Sequence, residues 1–153
     1  MRSSLRARFN SPYRGKFAET RFKRDCLPEY AEVLKTVCVD AAYCTFPGQQ
    51  YLEGIVNQTP DDFVFGLEVT DTITTREFLN LDRFGQRAGK AKENYLNADL
   101  FANAFLKPCE SVLHAIGLLM FEFSRRWPTD YEHGRDFIAD LDNFLGQLLK
   151  GWP

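Results

Sequence analysis

The chain has 153 residues, 44% of them hydrophobic and 26% charged, with a formal net charge of −2. That suits one soluble domain burying roughly two-thirds of its unfolded surface. The balance gives no reason to expect nucleic acid or an acidic membrane as partner, and no apolar run approaches the ~18–20 residues needed to span a bilayer.

Residues 1–24 hold Arg2, Arg6, Arg8, Arg14, Lys16, Arg21, Lys23 and Arg24 against a single acid, Glu19. Such a start reads as a basic surface segment, a transit peptide or a phosphate-binding arm, and without an apolar stretch behind it not as a secretory signal. The domain proper is expected over 25–153. Leu27, Tyr30, Ala31 and Leu34 predict a helix from about Leu27 to Val37, with Pro28 in its first turn. Cys38–Cys44 reads as a short strand, Thr45-Phe46-Pro47-Gly48 as a break. A second helix follows with Tyr51, Leu52, Ile55 and Val56 inward, ended by Thr59-Pro60.

Phe63–Thr70 is the organising strand. Phe63, Phe65, Leu67 and Val69 alternate with Val64, Gly66, Glu68 and Thr70, and both faces are mostly uncharged, as in a parallel strand covered on both sides. From Asp71 to Asn97 no amphipathic helix is legible, which makes this connection a functional loop or a solvated excursion. Arg76, Arg83, Arg87, Lys90 and Lys92 make it a candidate anion-binding lid. Asn97 or Asp99 can cap a helix carrying Leu100, Phe101, Ala104 and Phe105, which Pro108 must kink or restart. Ile116–Phe123 reads as a buried strand. Phe137, Ile138, Leu141, Phe144, Leu145 and Leu148 form one wide helical stripe, with Gly151 to terminate it.

Strands alternating with helices imply right-handed crossovers and a parallel sheet, here about three strands of a partial TIM-type (β/α) barrel. On this reading each strand turns one acid to its more polar face: Asp40, Glu68 and Glu122. Converging carboxylates bind a hard cation such as Mg²⁺ or Mn²⁺, share protons for acid–base catalysis, or are simply paired within the interior. Tyr43, Thr70, Asn94 and Ser124, with Arg83 and Arg87 from the loop, complete the candidate ligand contacts at the strand ends. His114 reads as a partly buried helix residue and His133 as a loop or capping residue. No GxGxxG, P-loop, GxSxG or HExxH motif occurs. Cys26, Cys38, Cys44 and Cys109 form no CxxC pair, so they read as reduced apolar residues of a cytoplasmic protein.

Several separated segments, LPEYAEVLKTVCVDAAYCTFP, TPDDFVFGLEVTDTIT, RFGQRAG, NADLFANAFLKP, IGLLMFEFS and HGRDFIADLDNFLG, resemble the YecE-like proteins, domain of unknown function 72 (DUF72), from about Tyr13 to Pro153. The resemblance implies a TIM-type barrel, of which this chain is similar to the N-terminal half without its first strand. It supplies a fold and a site location but no reaction. Where the family commonly has a glutamate and an asparagine this chain has Cys38 and Asp40; its usual lysine is Glu68, and a frequent histidine is Thr75. The expected function is that of a barrel enzyme or ligand-binding protein acting on a small polar or anionic molecule. The alternative is a non-catalytic truncated fragment or interaction module pairing, as a homo-oligomer for example, through open sheet edges.

Overall fold

The computed structural model describes residues 19–78, 85–86, 88–123 and 131–148, with side chains from residue 25 onward. Helix α1 (Glu19–Ala31) starts earlier and stops earlier than expected, and Pro28 lies in its interior rather than its first turn. It therefore runs across the boundary drawn at residue 24. Leu27 and Ala31 are buried, whereas Leu34, expected inward, is exposed because the helix has ended. The Tyr30 hydroxyl donates to the Thr36 carbonyl at 3.0 Å and fastens this turn to the first strand.

Strand β1 is Thr36–Val39, not 38–44. The backbone turns helical at Asp40 (φ −83°, ψ −6°), and Ala41–Cys44 forms the one-turn helix α2. Two consecutive alanines, the best helix formers, favour that turn over extension. Helix α3 (Gln49–Val56) buries Leu52 and half-buries Ile55 and Val56, but leaves Tyr51 exposed. Strand β2 is Val64–Glu68, flanked by Phe63 and Val69; Phe63, Phe65, Leu67 and Val69 are all buried on one face, as their alternation requires.

After β2, helix α4 (Asp71–Thr74) is followed by a long excursion that is not structureless. Its two arms pair through a Glu77–Ala91 antiparallel bridge. Phe78 N donates to Lys90 O at 2.9 Å, and Lys92 N to Arg76 O at 2.7 Å. Gly89 takes the left-handed region (φ +69°), which glycine adopts without strain, and its N–H donates to Phe78 O at 3.0 Å. A composite helix α5 (98–115) comes next, capped by Asn97, whose Oδ1 accepts from Leu100 N at 2.9 Å. Pro108 perturbs it as expected: upstream, Phe101–Leu106 widen into a π-turn, and downstream Glu110–Ala115 tighten to a 3₁₀-helix.

Strand β3 is Ile116–Met120, followed by helix α6 (Gly134–Gln147). The three strands form one parallel sheet in the order β1-β2-β3, alternating with helices as expected. Cys38 pairs with Gly66 and Glu68 with Met120, but between Phe65 and Gly66 the register slips. Gly117 is the extra residue: a Cβ there would collide with the Val64 side chain.

The core lies between the helices and one face of this sheet. Phe101 contacts Phe105, Phe121 and Phe144 at ring separations of 5.2–5.7 Å. The opposite face, where Val64, Leu118 and Met120 stand, is open, these side chains being 40%, 52% and 41% exposed. The stripe of α6 is only partly used. Phe144 is buried, Phe137, Leu141 and Leu148 partly so, while Ile138 and Leu145 face outward. Gly151 lies outside the described residues.

Candidate functional site

In a parallel α/β sheet the carboxyl ends of the strands are where the chain leaves ordered pairing, and ligands bind there. Three structural events crowd this end. At β1 the chain folds directly into α2, which carries Tyr43. At β2, Thr70 caps α4, its Oγ1 accepting from Thr72 N at 3.3 Å. At β3, pairing stops at Met120, so Phe121 and Glu122 lie just beyond the sheet.

Tyr43 is the meeting point. Burial pushes its hydroxyl above the ordinary phenol range, the Thr75 hydroxyl, hydrogen-bonded to it, pulls the other way, and the charges of Asp71, Glu122 and Glu68 raise it further. A phenol held in this way stays protonated and offers a donor beside carboxylates that can only accept. Thr75 is itself almost fully buried, so its hydroxyl is a fixed partner.

Of the three acids expected to converge, Glu68 and Glu122 thus stand around one residue. Asp40 does not join them: the backbone leaves the extended conformation at Asp40 itself, and its charge acts on Tyr51. Tyr51 keeps 42% of its surface exposed, although partial enclosure of the side chain is the main cause that raises its hydroxyl. Asp71 takes the place of the third acid. It was not among the acids expected from the sequence; the available signal was local, Thr70 able to cap a helix and followed by an acid in its first turn, a position that favours a carboxylate. Among the described residues no group of three or more His, Cys, Asp or Glu side chains is placed to hold a metal ion. Asp40, Glu68 and Glu122, all among the described residues, do not form such a group.

The remaining candidates divide. Thr70 is fully buried and its hydroxyl is engaged in capping, which leaves no surface for a ligand. Asn94 is exposed in the excursion, and its carbonyl accepts from Asn97 N at 3.2 Å. Arg83, Arg87 and Ser124 lie outside the described residues. Lys92 turns inward instead: its Nζ meets Asp71 Oδ2 at 3.0 Å and the Asp71 carbonyl at 3.1 Å, and its side chain is only 10% exposed. The Arg76 guanidinium stacks 4.4 Å above the Tyr131 ring. His114 is exposed, not partly buried, and His133 precedes α6, its backbone N–H donating to Asp136 Oδ2 at 3.1 Å.

A profile of the protein family of unknown function DUF72 matches residues 10–153. The chain belongs to the DUF72 family. Two crystal structures of a DUF72 family protein from Enterococcus faecalis V583 resemble it. One, at 2.52 Å resolution, has a TM-score of 0.57 at 20% identity over 83% of this chain and 46% of that one. The other, at 3.10 Å, has a TM-score of 0.53 at 21% identity over 80% and 40%. The chain thus spans less than half the length of the solved DUF72 protein, and the likeness is one of fold. Among curated proteins none matches the sequence. No helix among the described residues is long and apolar enough to cross a membrane.

Proposed function

We propose that this DUF72 chain carries a small-molecule site at the carboxyl ends of β1–β3, within a TIM-type barrel architecture, and that the site takes a small polar, hydroxyl-rich molecule. One observation carries this reading: the Tyr43 hydroxyl, tied to Thr75, lies within the influence of Glu68, Asp71 and Glu122. A protonated phenol donates where the carboxylates accept, and vicinal hydroxyls, each both donor and acceptor, match such an array. Asp71 is neutralised by Lys92. Glu68 and Glu122 act on the same Tyr43 hydroxyl and can serve a ligand as hydrogen-bond acceptors or, in an enzyme, as acid–base groups. An anionic ligand would depend on Arg83 and Arg87 instead. A cytoplasmic setting is supported by four cysteines, Cys26, Cys38, Cys44 and Cys109, none of which is in a disulfide.

The test is ligand-observed NMR with a panel of neutral monosaccharides and polyols beside their phosphorylated counterparts. Saturation transfer to a neutral member, lost in Glu68→Gln/Glu122→Gln and in Tyr43→Phe, is the expected result. Transfer to the phosphorylated members alone would move the site to the arginines. No transfer to any member would remove this reading.

A further inference from the structure

Tyr131 joins three stretches of chain that are far apart in sequence. Its hydroxyl lies 2.9 Å from Asp140 Oδ2 on α6 and 3.3 Å from the Tyr95 hydroxyl near the end of the excursion. Its ring carries the Arg76 guanidinium, from the outgoing arm, at 4.4 Å, and meets Phe137 of α6 edge-on at 5.8 Å. The phenol has one proton; the carboxylate takes it, and the two hydroxyls share the second bond. One side chain thus bridges both arms of the excursion and the first turns of α6. Burial, with Tyr95 and Asp140 adding to it, keeps this hydroxyl protonated well above the ordinary phenol range.

Among the described residues, few buried apolar side chains surround this junction. Of α6 only Phe144 is fully buried, and Asp140, Glu132, His133 and Arg135 are exposed. The arms are held to each other by backbone bonds and to α4 by Lys92. Segments with few buried apolar contacts open at a fraction of the global unfolding free energy.

We propose that Tyr131 is a latch: it couples the paired arms 76–78 and 88–92 to the first turns of α6, so that these parts open together, independently of the sheet. The outgoing arm begins at Arg76, next to Thr75, the hydrogen-bond partner of Tyr43. That an opening of this unit alters the ligand site rests on the function proposed above; the coupling does not.

Hydrogen exchange on the full chain separates the possibilities, comparing the parent protein with Tyr131→Phe and Tyr131→Ala. Loss of a hydrogen bond to a charged group predicts that Tyr131→Ala speeds exchange at Phe78, Lys92 and the first turns of α6 by about tenfold or more. The Val69 amide, which donates to Met120 O inside the sheet, keeps its rate. Tyr131→Phe keeps the ring beneath Arg76 and loses the hydroxyl bonds, so it gives an intermediate effect in the same two regions. Acceleration of every region together, Val69 included, would reduce Tyr131 to general packing and overturn the latch. So would acceleration of the arms without α6, or no change. If exchange behaves as expected but the sugar panel shows no transfer, the latch stands and the ligand reading falls.

Discussion

Lys92 Nζ lies 3.0 Å from Asp71 Oδ2, and this pair anchors the returning arm of the excursion to the first turn of α4. The lysine is nearly buried while the aspartate keeps about a third of its surface, and the ammonium also lies 5.2 Å from the Phe78 ring centre. Replacing Lys92 with methionine leaves Asp71 without its cation and lowers stability by about 1–2 kcal/mol, as expected for a hydrogen-bonded, partly shielded pair. Adding Asp71→Asn to that variant recovers part of the loss. Urea midpoints of the two single variants and the double one check this, and strict additivity would deny the pairing.

Gly117 is required by the β2–β3 register. Its missing Cβ makes room for the Val64 side chain beside the bulge. Gly117→Ala is expected to cost about 1–3 kcal/mol by overpacking. Val64→Ala in the same chain relieves the clash, so the double variant is more stable than Gly117→Ala alone. Thermal melts of the three proteins decide the matter.

The two faces of the sheet make opposite predictions for neighbouring residues. Phe65, buried, should lose about 3–5 kcal/mol on truncation to alanine. Val64, 40% exposed on the open face, should lose less than about 1 kcal/mol. Comparable losses at the two positions in denaturant titrations would mean that the open face is covered.

What the sequence revealed and what it hid follow the range of the forces involved. The alternation from Phe63 to Val69 is a period-two pattern within a few residues, and every one of its core members is buried. The change of helical pitch on either side of Pro108 is equally local, since a ring without an N–H acts on its own turn. The end of β1 was not legible: Cys38–Cys44 alternates well enough for a strand, but the helix preference of Ala41-Ala42 prevails at Asp40 and removes that acid from the cluster. The pairing of Lys92 with Asp71 spans 21 residues, and that of Tyr131 with Tyr95 spans 36. No periodicity reports such partners. A loop rich in lysine and arginine therefore resembled an anion clamp, although one of its cations serves an internal ion pair.

Alkaline pH should unfold the protein through two protonated groups. Burial pushes the Cys109 thiol up to about 12 from an ordinary value of 9.0, and the Tyr131 hydroxyl is raised as well. In both, the folded state holds its proton more tightly than the unfolded chain does. The stabilisation is complete below the unfolded values and is lost as pH rises past 9 toward the folded ones. Stability is therefore expected to fall from about pH 9 upward, and less steeply in Cys109→Ala when each variant is referred to its own neutral-pH stability. Chemical denaturation between pH 8 and 11 measures both slopes.

The surroundings of Tyr43 can be titrated residue by residue by tyrosine-labelled carbon NMR. The predicted result is a Tyr43 hydroxyl that ionises above the ordinary phenol value of 10.0 and moves downward in Glu68→Gln/Glu122→Gln. A Tyr43 that titrates at the ordinary value, or one indifferent to both substitutions, would contradict the site.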